Sequence, residues 1–226
     1  MELKNSTILI TGGTSGIGLE LVKQLLAKGA NIIVTGRNLD TLNETKKKFP
    51  KVHTFQSDVT KPQDIEQLYK QVTTQFPELN IIINSAGIMR NIDLQDTSLG
   101  LENITREIET NLSGTIRINY QFLPHLKTKK LAAIVNISSG LAFVPFPISP
   151  VYSATKSGIH AYTQILRLQL KNTSVKVFEI APPGTDTPLS EKLGGYISKD
   201  QLMKVDEMVR KSISGIEKDK FEIRPG

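Results

Sequence analysis

Short apolar runs rich in β-branched residues recur along the chain and alternate with longer segments of helical period. The six runs are residues 7–10, 31–35, 52–56, 81–84, 132–137 and 174–180. Their nearly continuous hydrophobicity is typical of strands covered on both faces, as in a parallel sheet. One of the helical series is Leu101, Ile104, Ile108, Leu112 and Ile116. The alternation predicts an α/β fold, a single Rossmann-type doubly wound parallel sheet with helices on both faces.

Length and composition agree with one globular unit. The 226 residues predict a single domain spanning 1–226, without repeats or low-complexity tracts. The chain has no cysteine, which excludes disulfides, thiolate nucleophiles and sulfur-ligated metals. No stretch approaches the ~18 apolar residues of a membrane span, and residues 1–6 lack the apolar centre of a signal peptide. We therefore expect a cytoplasmic protein that does not bind membranes.

Charge and histidine distribution exclude two further classes. The 28 Lys and Arg against 22 Asp and Glu give a net charge of +6. The densest basic runs, 46–48 and 127–130, lie apart and contain no aromatic residues, so we expect solvated helix ends rather than a nucleic-acid surface. His53, His125 and His160 lack the spacing of metal ligands, and we expect no metal site.

The first predicted strand runs into a glycine-rich turn that a helix follows. Small residues there let the backbone approach a pyrophosphate, and the helix N-terminus supplies free N–H groups. The candidate residues are Gly12, Thr14, Ser15, Gly16, Ile17 and Gly18. The glycine spacing differs from the common dinucleotide fingerprint, so a plain tight turn stays an alternative at this point. No Lys followed by Ser or Thr comes after the turn, which argues against a P-loop NTPase.

The end of the second strand indicates which nucleotide would fit. An NAD site normally places an acidic residue there, about twenty residues after the glycine turn. This chain has Arg37 instead, whose guanidinium can pair with a 2′-phosphate. Asp40 is the nearest acid, and it lies where the second helix should begin. The sequence favours NADP(H) over NAD(H), the alternative being that Arg37 only ends a strand.

A tyrosine and a lysine four residues apart, Tyr152 and Lys156, follow Ser139 at the end of the fifth strand. On a helix, this spacing places both side chains on one face. We expect the ammonium to lower the phenol pKa from its usual value near ~10. Alone, the pair also fits an ordinary surface helix.

In their order and spacing, these features resemble the short-chain dehydrogenase/reductase family over residues 7–189. The residues that carry the resemblance are the glycine turn, Asn84, Ala86 and Gly87, Asn111, Ser139, Tyr152 with Lys156, and Pro183 and Gly184 followed by Thr187. More loosely, residues 215–217 and 222–226 resemble the DltE-like oxidoreductases.

The resemblance implies a role for each catalytic candidate. Tyr152 would be the general acid in reduction or the base in oxidation. Lys156 would lower its pKa and bind the nicotinamide ribose. Ser139 would hold the substrate oxygen, and Asn111 would hold a water that relays protons to Lys156. Taken separately, Asn111 could kink a helix and Ser139 could be a turn residue.

The resemblance also implies cofactor contacts. Ile17 and Gly18 would approach the pyrophosphate, and Thr187 the carboxamide end. Asp58 and Val59 would contact the adenine, although Asp58 alone could be a helix cap. The family would place Asn84, Ala86 and Gly87 at the adenosine ribose. Tyr152, Lys156, Pro183 and Gly184 complete the implied cofactor set.

Three segments bear on substrate and assembly. Ser85 stands where the family has a second Asn, which weakens a bond across the sheet. Residues 141–150 are apolar and proline-rich, which indicates a hydrophobic substrate wall or a subunit contact. Residues 182–215 are predicted to form a substrate lid. The C-terminus is short for the family, which bears on the late strand and on any subunit contact built there.

The sequence thus predicts an NADP(H)-dependent oxidoreductase that interconverts a carbonyl and a secondary alcohol on a small or medium, apolar substrate. The alternative is a catalytically silent NADP-binding sensor or interaction protein on the same fold. By resemblance, we expect a homodimer or homotetramer.

Overall fold

Seven parallel strands form one sheet in the computed structural model, which describes residues 1–193 and 196–226. The strands are β1 (Thr7–Thr11), β2 (Asn31–Gly36), β3 (His53–Gln56), β4 (Leu79–Asn84), β5 (Ala132–Ile137), β6 (Val175–Ile180) and β7 (Glu222–Ile223). Their spatial order is β3-β2-β1-β4-β5-β6-β7, with every neighbouring pair parallel. The connections reverse direction between β1 and β4, which opens a crevice at the carboxyl ends of these strands. The predicted doubly wound sheet is confirmed.

Helices cover the sheet on both faces. They are α1 (Gly16–Ala27), α2 (Leu39–Lys48), α3 (Pro62–Gln75), α4 (Leu101–Ile104), α5 (Gly114–Lys127), α6 (Pro150–Gln169) and α7 (Val205–Glu217). A π-helical segment, Ile108–Ser113, joins α4 to α5. Short 3-10 turns occupy Gly140–Ala142, Ser190–Leu193 and Lys199–Gln201.

Successive strand residues feed two separate core layers. Ile8 and Ile10 pack into the layer that holds buried residues of α1 and α7. Leu9, between them, packs into the layer that holds Phe122 of α5 and Leu166 of α6. Because each face of the sheet buries its own side chains, the strands read as continuous apolar runs.

The segment 101–116 is helical over most of its length, as its period predicts, but its apolar residues do not form a core face. Leu101 is 87% exposed, and Ile108 and Ile116 are each 37% exposed. The buried residues of this segment include the polar Asn111 and Thr115. The period therefore predicts the helix but not which of its sides faces the core.

The predicted lid divides into two parts. Residues 182–185, 187–190 and Ile197 line the cavity described below, and a bridge joins Thr185 to Met203. Helix α7 instead buries Met208, Val209 and Ile213 in the core layer shared with α1. Residues 194–195 of the predicted lid, 182–215, lie outside the described residues, and the action of this segment as a lid stays a prediction.

The basic runs lie where the sequence analysis expects them. Lys46, Lys47 and Lys48 form the last turn of α2, and Lys127 ends α5. Within the described ranges, no helix combines the length and hydropathy that a bilayer crossing requires.

Candidate active site

A cavity of about 540 Å³ opens at the carboxyl ends of the strands. The loops that follow β1, β2, β3, β4, β5 and β6 all contribute to its walls. The contributing segments are residues 12–18, 35–38, 57–59, 85–89, 137–141 and 182–190. This is the crevice that the reversal of strand order between β1 and β4 creates.

The glycine turn is packed too closely for side chains. A Cβ on Gly18 would lie 2.3 Å from the Gly12 carbonyl oxygen, and one on Gly12 would lie 2.7 Å from the Ala86 Cα. Gly12 and Gly16 also have positive φ, at 66° and 51°, which favours glycine. The turn therefore needs its glycines to bring the start of α1 against the loop after β4.

The N-terminus of α1 suits an anion. Ser15 takes the N-cap position without a side-chain cap bond, and the first turn has no acidic residue. The first amides of a helix lack intrahelical partners, and Gly16, Ile17 and Gly18 line the cavity. The residues present fit a pyrophosphate bound to these amides.

The end of β2 offers a cation to the cavity. Arg37 is exposed and lines the cavity. Asn38 is the N-cap of α2, and its Oδ1 accepts hydrogen bonds from the amides of Asp40 at 2.8 Å and Thr41 at 3.2 Å. Asp40 lies in the first turn of α2 and is not among the lining residues. Arg37 is thus the charged side chain that β2 presents here.

Asp58 and Val59 line the same end of the cavity. The Asp58 Oδ1 accepts from the Thr60 amide at 2.9 Å and from the Thr60 hydroxyl at 2.8 Å. One carboxylate oxygen of Asp58 is thus held by hydrogen bonds within the loop after β3. Asp58 is not the N-cap of α3, because Lys61 takes that position.

Ser139, Tyr152 and Lys156 meet at the cavity. Helix α6 carries Tyr152 and Lys156 on one face, each 6% exposed, with Nζ of Lys156 5.5 Å from the centre of the phenol ring. The Lys156 ammonium donates to the Ile137 carbonyl at 2.9 Å. Ser139 follows β5 and caps the turn Gly140–Ala142 through a bond from the Leu141 amide.

The acidities of this pair differ from the expectation. Burial raises the pKa of Tyr152 to about 12; an interaction with the Ser139 hydroxyl opposes this rise, and the Glu107 charge adds to it. Burial lowers the pKa of Lys156 to about 8. The predicted lowering of the phenol pKa by Lys156 is therefore wrong for the protein alone. The physical reason is that desolvation acts on both groups and weakens the cation that should stabilise a phenolate.

Asn111 lies in the π-helical segment and is fully engaged with protein. Its Oδ1 accepts from the Ile88 amide at 2.9 Å, and its Nδ2 donates to the Ile88 carbonyl at 2.9 Å and to Thr155 Oγ1 at 3.2 Å. Its own carbonyl accepts from the Thr115 hydroxyl at 2.9 Å. Asn111 does not line the cavity; it braces the loop after β4 against α6.

Asn84 also lies away from the cavity. Its Nδ2 donates to Asn119 at 2.7 Å and to Asn136 at 2.9 Å inside a buried amide network. Ser85, Ala86 and Gly87 line the cavity instead. The placement of Asn84 at the adenosine ribose stays a prediction, and its side chain faces Asn119 of α5 and Asn136 of β5.

The far end of the cavity is apolar. Tyr152 and Met89 form a small buried cluster, and Leu141, Phe146, Ile148, Leu189 and Ile197 pack against it. The predicted wall, 141–150, thus contributes through Leu141 and Phe146, while Val144 is exposed. Pro183, Gly184 and Thr187 line the cavity from the loop after β6. Among the described lining residues, the charged ones are Arg37, Asp58 and Lys156, of which Lys156 lies beside Tyr152 at the edge of this apolar end.

Sequence reasoning missed two buried carboxylates. Glu107 is fully buried, 3.6 Å from Arg90, and burial raises its pKa. Glu179 is fully buried on β6 and contacts His160. The available signal was its carboxylate among the apolar residues 177–180 of β6.

His160 is not isolated from acidic side chains, contrary to the expectation. Donor atoms of His160, Glu179 and Glu222 lie within 4.8 Å of one another. These residues come from α6, β6 and β7, so their sequence spacing carries no metal-ligand pattern.

Comparison with known proteins adds family evidence. The sequence model of the short chain dehydrogenases matches residues 6–195. The chain is 40% identical over 229 residues to the uncharacterized oxidoreductase DltE of Bacillus subtilis (strain 168), covering 99% of this chain and 89% of that protein. It is 35% identical over 191 residues to an uncharacterized oxidoreductase of Staphylococcus epidermidis, covering 84% and 82% of the two chains.

Solved structures of similar fold carry nicotinamide nucleotides. A short chain dehydrogenase of Burkholderia cenocepacia J2315 in complex with NADP matches with a TM-score of 0.86 and 25% identity, covering 100% of this chain and 90% of that chain. A short-chain dehydrogenase of Sphingobium yanoikuyae in complex with NADPH matches with a TM-score of 0.87 and 25% identity, covering 97% and 87%. A Burkholderia phymatum relative in complex with NAD, at 17% identity and a TM-score of 0.89, supports the fold alone.

Proposed function

This chain belongs to the short-chain dehydrogenase family of oxidoreductases, and we propose that it uses NADP(H) to interconvert a carbonyl and a secondary alcohol on a small or medium, apolar substrate. The observation that carries the proposal is the meeting of Ser139, Tyr152 and Lys156 at a cavity that begins at the uncapped N-terminus of α1.

The proposed roles follow from the positions of the side chains. A bound nicotinamide would supply or accept the hydride. The Ser139 hydroxyl would hold the substrate oxygen, and the Tyr152 phenol would exchange the proton with that oxygen. Because its pKa is raised to about 12, the phenol is protonated at neutral pH. In the protein alone, Tyr152 is therefore ready to act as the acid that reduction requires.

Lys156 and Asn111 would support this exchange. The Lys156 ammonium is fixed on the Ile137 carbonyl, beside the phenol and near Gly87. There it can bond the nicotinamide ribose and return a proton to Tyr152. Asn111 would hold the loop after β4 at the right distance from α6, through Ile88 and Thr155.

Cofactor contacts would run along the loops at the carboxyl ends. Amides of Gly16, Ile17 and Gly18 would hold the pyrophosphate. Asp58 and Val59 would face the adenine, and Thr187 the carboxamide. The remaining proposed contacts are Gly12, Thr14, Ser15, Ala86, Gly87, Pro183 and Gly184, all of which line the cavity.

The preference for NADP(H) rests on Arg37. Its guanidinium stands at the position where an acid would repel a 2′-phosphate. Asp40, the nearest acid, is held in the first turn of α2 beyond the Asn38 cap. A phosphate on the adenosine ribose would therefore meet a cation and no carboxylate from β2.

The substrate preference rests on the apolar end of the cavity. Tyr152 is surrounded there by Met89, Leu141, Phe146, Leu189 and Ile197. A charged group buried against these side chains would lose its hydration without an ionic partner. The reacting carbonyl should therefore be flanked by uncharged, apolar groups, and residues 182–203 should close over it.

Assembly into a homodimer or homotetramer is part of the proposal. Ile116 and Tyr120 on α5, and Ile165 and Leu168 on α6, are exposed apolar side chains on helices that cover one face of the sheet. A cytoplasmic location is also proposed, because the reaction draws on a nucleotide that cells keep inside.

Fluorescence titration with NADPH and NADH, followed by a screen of ketones and aldehydes, tests the proposal. We expect saturable NADPH consumption with apolar carbonyls and at least ~10-fold weaker NADH binding. Arg37→Ala should raise the Kd for NADPH about tenfold and leave that for NADH unchanged, while Arg106→Ala, an exposed matched control, should change neither. Tight NADPH binding without turnover of any carbonyl would favour the silent sensor instead.

A further inference from the structure

A fully buried carboxylate lies next to the two segments that carry Ser139, Tyr152 and Lys156. Glu179 on β6 is 0% exposed. One of its oxygens accepts the Ser138 hydroxyl, and Nδ1 of His160 lies 2.8 and 3.1 Å from its two oxygens. Among the described side chains, those of residues 1–191 and 196–226, no Lys or Arg pairs with it. Because a buried charge is tolerated only when it is hydrogen-bonded, these contacts make one tightly coupled group.

This group joins three elements. Ser138 follows β5, and its amide also bonds the Ile180 carbonyl of β6 at 2.8 Å. His160 belongs to α6. Glu179 therefore fastens the end of β5 to α6, because its side chain contacts the side chains of both Ser138 and His160.

The fastened ends carry the reacting groups. Ser139 directly follows Ser138, and Tyr152 and Lys156 precede His160 by eight and four residues on the same helix. A second bond, from Lys156 to Ile137, joins the same two elements closer to the cavity. A further buried bond, from Nδ2 of Asn136 on β5 to Oγ1 of Thr163 on α6 at 3.0 Å, lies farther from the cavity. The bonds of Glu179 and Lys156 are thus the ones next to Ser139 and Tyr152.

Resting on the proposed function, we propose that Glu179 is a positioning residue that holds the Ser139 hydroxyl in register with Tyr152 by fastening Ser138 and His160. It touches neither substrate nor cofactor. Its effect is on the rate of the chemical step, since a shift of about 1 Å in a reacting group lowers that rate about a hundredfold. Phe143, whose ring lies 4.6 Å from that of His160, extends the same packing to the substrate wall.

Three substitutions separate positioning from stability. Ser138→Ala removes the hydroxyl that donates to Glu179. Glu179→Leu removes all acceptors and keeps a similar volume, but it leaves Ser138 and His160 without their partner, so urea unfolding is measured beside it. Glu179→Gln keeps an oxygen for Ser138 and is the conservative rescue. Glu222→Gln is the control, because Glu222 lies in the same cluster but does not contact Ser138.

The first readout needs neither cofactor nor substrate. Hydrogen exchange of the protein alone should become about tenfold faster over residues 137–143 and 150–160 in Ser138→Ala and Glu179→Leu. Strands β1 and β2 should stay as in the wild type, as should the whole Glu222→Gln variant. Unchanged exchange over residues 137–143 would overturn the fastening itself.

The second readout is single-turnover hydride transfer with saturating NADPH and the best carbonyl. We expect the rate to fall ten- to a hundredfold, about equally, in Ser138→Ala, Glu179→Leu and the double variant, because both substitutions break one connection. Glu179→Gln should recover to within about threefold of the wild type, and the Kd for NADPH should stay unchanged throughout. Faster exchange with an unchanged rate, or additive losses in the double variant, would overturn the positioning role. A wild type without turnover would instead overturn the proposed function and, with it, the positioning role in catalysis. The hydrogen-exchange measurement would still show whether Glu179 links β5 to α6.

Discussion

At the scale of single residues, burial governs the chemistry of the site. The same desolvation that raises the pKa of Tyr152 to about 12 lowers that of Lys156 to about 8. Each shift favours the neutral form: Tyr152 keeps its proton at neutral pH, while Lys156 releases its proton more readily than an exposed lysine does. Only the Ser139 interaction favours the phenolate, and burial outweighs it.

Replacing Tyr152 with Phe removes the proton donor without changing the shape of the cavity. We expect kcat to fall by about two to four orders of magnitude, the range for loss of a general acid. The Kd for NADPH should change less than about threefold, because the phenol is one contact among many. Tyr69→Phe, on α3 and outside the cavity lining, should keep the full rate. Retained turnover in Tyr152→Phe would remove this residue from the reaction.

The buried Lys156 should also make the free energy of unfolding depend on pH. Between pH 8 and pH 10.5 the unfolded chain binds a proton at Lys156 that the folded chain has released. The free energy of unfolding should therefore rise with pH across this window, by at most about 1.4 kcal/mol per pH unit from this group. Urea unfolding of the wild type and Lys156→Met should show curves that diverge from pH 8 upward. Lys171→Met, an exposed lysine beyond α6, should parallel the wild type, and a parallel curve for Lys156→Met would contradict the buried ammonium.

At the scale of elements, what the sequence predicts depends on how local the cause is. The strands and the Tyr152–Lys156 spacing were predictable, since two-faced burial and helical period both act within a few residues. The outward positions of Leu101, Ile108 and Ile116 were not, because Asn111 on the same segment is held inside by Ile88 and Thr155 of other elements. Glu179 was missed because its partners Ser138 and His160 lie 41 and 19 positions away in the sequence.

The glycine turn gives a prediction of close packing at this scale. A methyl group at Gly18 would collide with the Gly12 carbonyl, a backbone atom that cannot move aside alone. We expect Gly18→Ala to lower the free energy of unfolding by about 1–3 kcal/mol and to weaken NADPH binding at least about tenfold. Gly100→Ala meets no atom within 4 Å and should change stability by less than about 0.5 kcal/mol. Unimpaired NADPH binding in Gly18→Ala would argue against the pyrophosphate site at α1.

At the scale of the whole molecule, one face of the sheet is covered by helices that remain partly apolar outside. Tyr120 on α5 is 80% exposed and Leu168 on α6 is 64% exposed. The helices bury their inner sides against the sheet through Phe122 and Leu166. Scattered single exposures are normal on a protein surface, but two amphipathic helices with apolar outer positions support the proposed contact with another copy.

Charge placed on this outer face should separate the subunits. A stable dimer needs about 800 Å² of buried surface per partner, and a Lys at Ile165 and at Leu168 would be buried there without an ionic partner. In sedimentation velocity, the wild type should run as a dimer or tetramer and the double variant Ile165→Lys, Leu168→Lys as a monomer with unchanged circular dichroism. Leu94→Lys, an equally exposed leucine in the loop after β4, should not dissociate it. If the monomer binds NADPH normally but turns over more slowly, the subunit contact also stabilises the position of α6. This would follow because α6 carries Tyr152 and Lys156 and its outer side forms the contact. A wild type that is itself monomeric would show that these side chains serve no self-association.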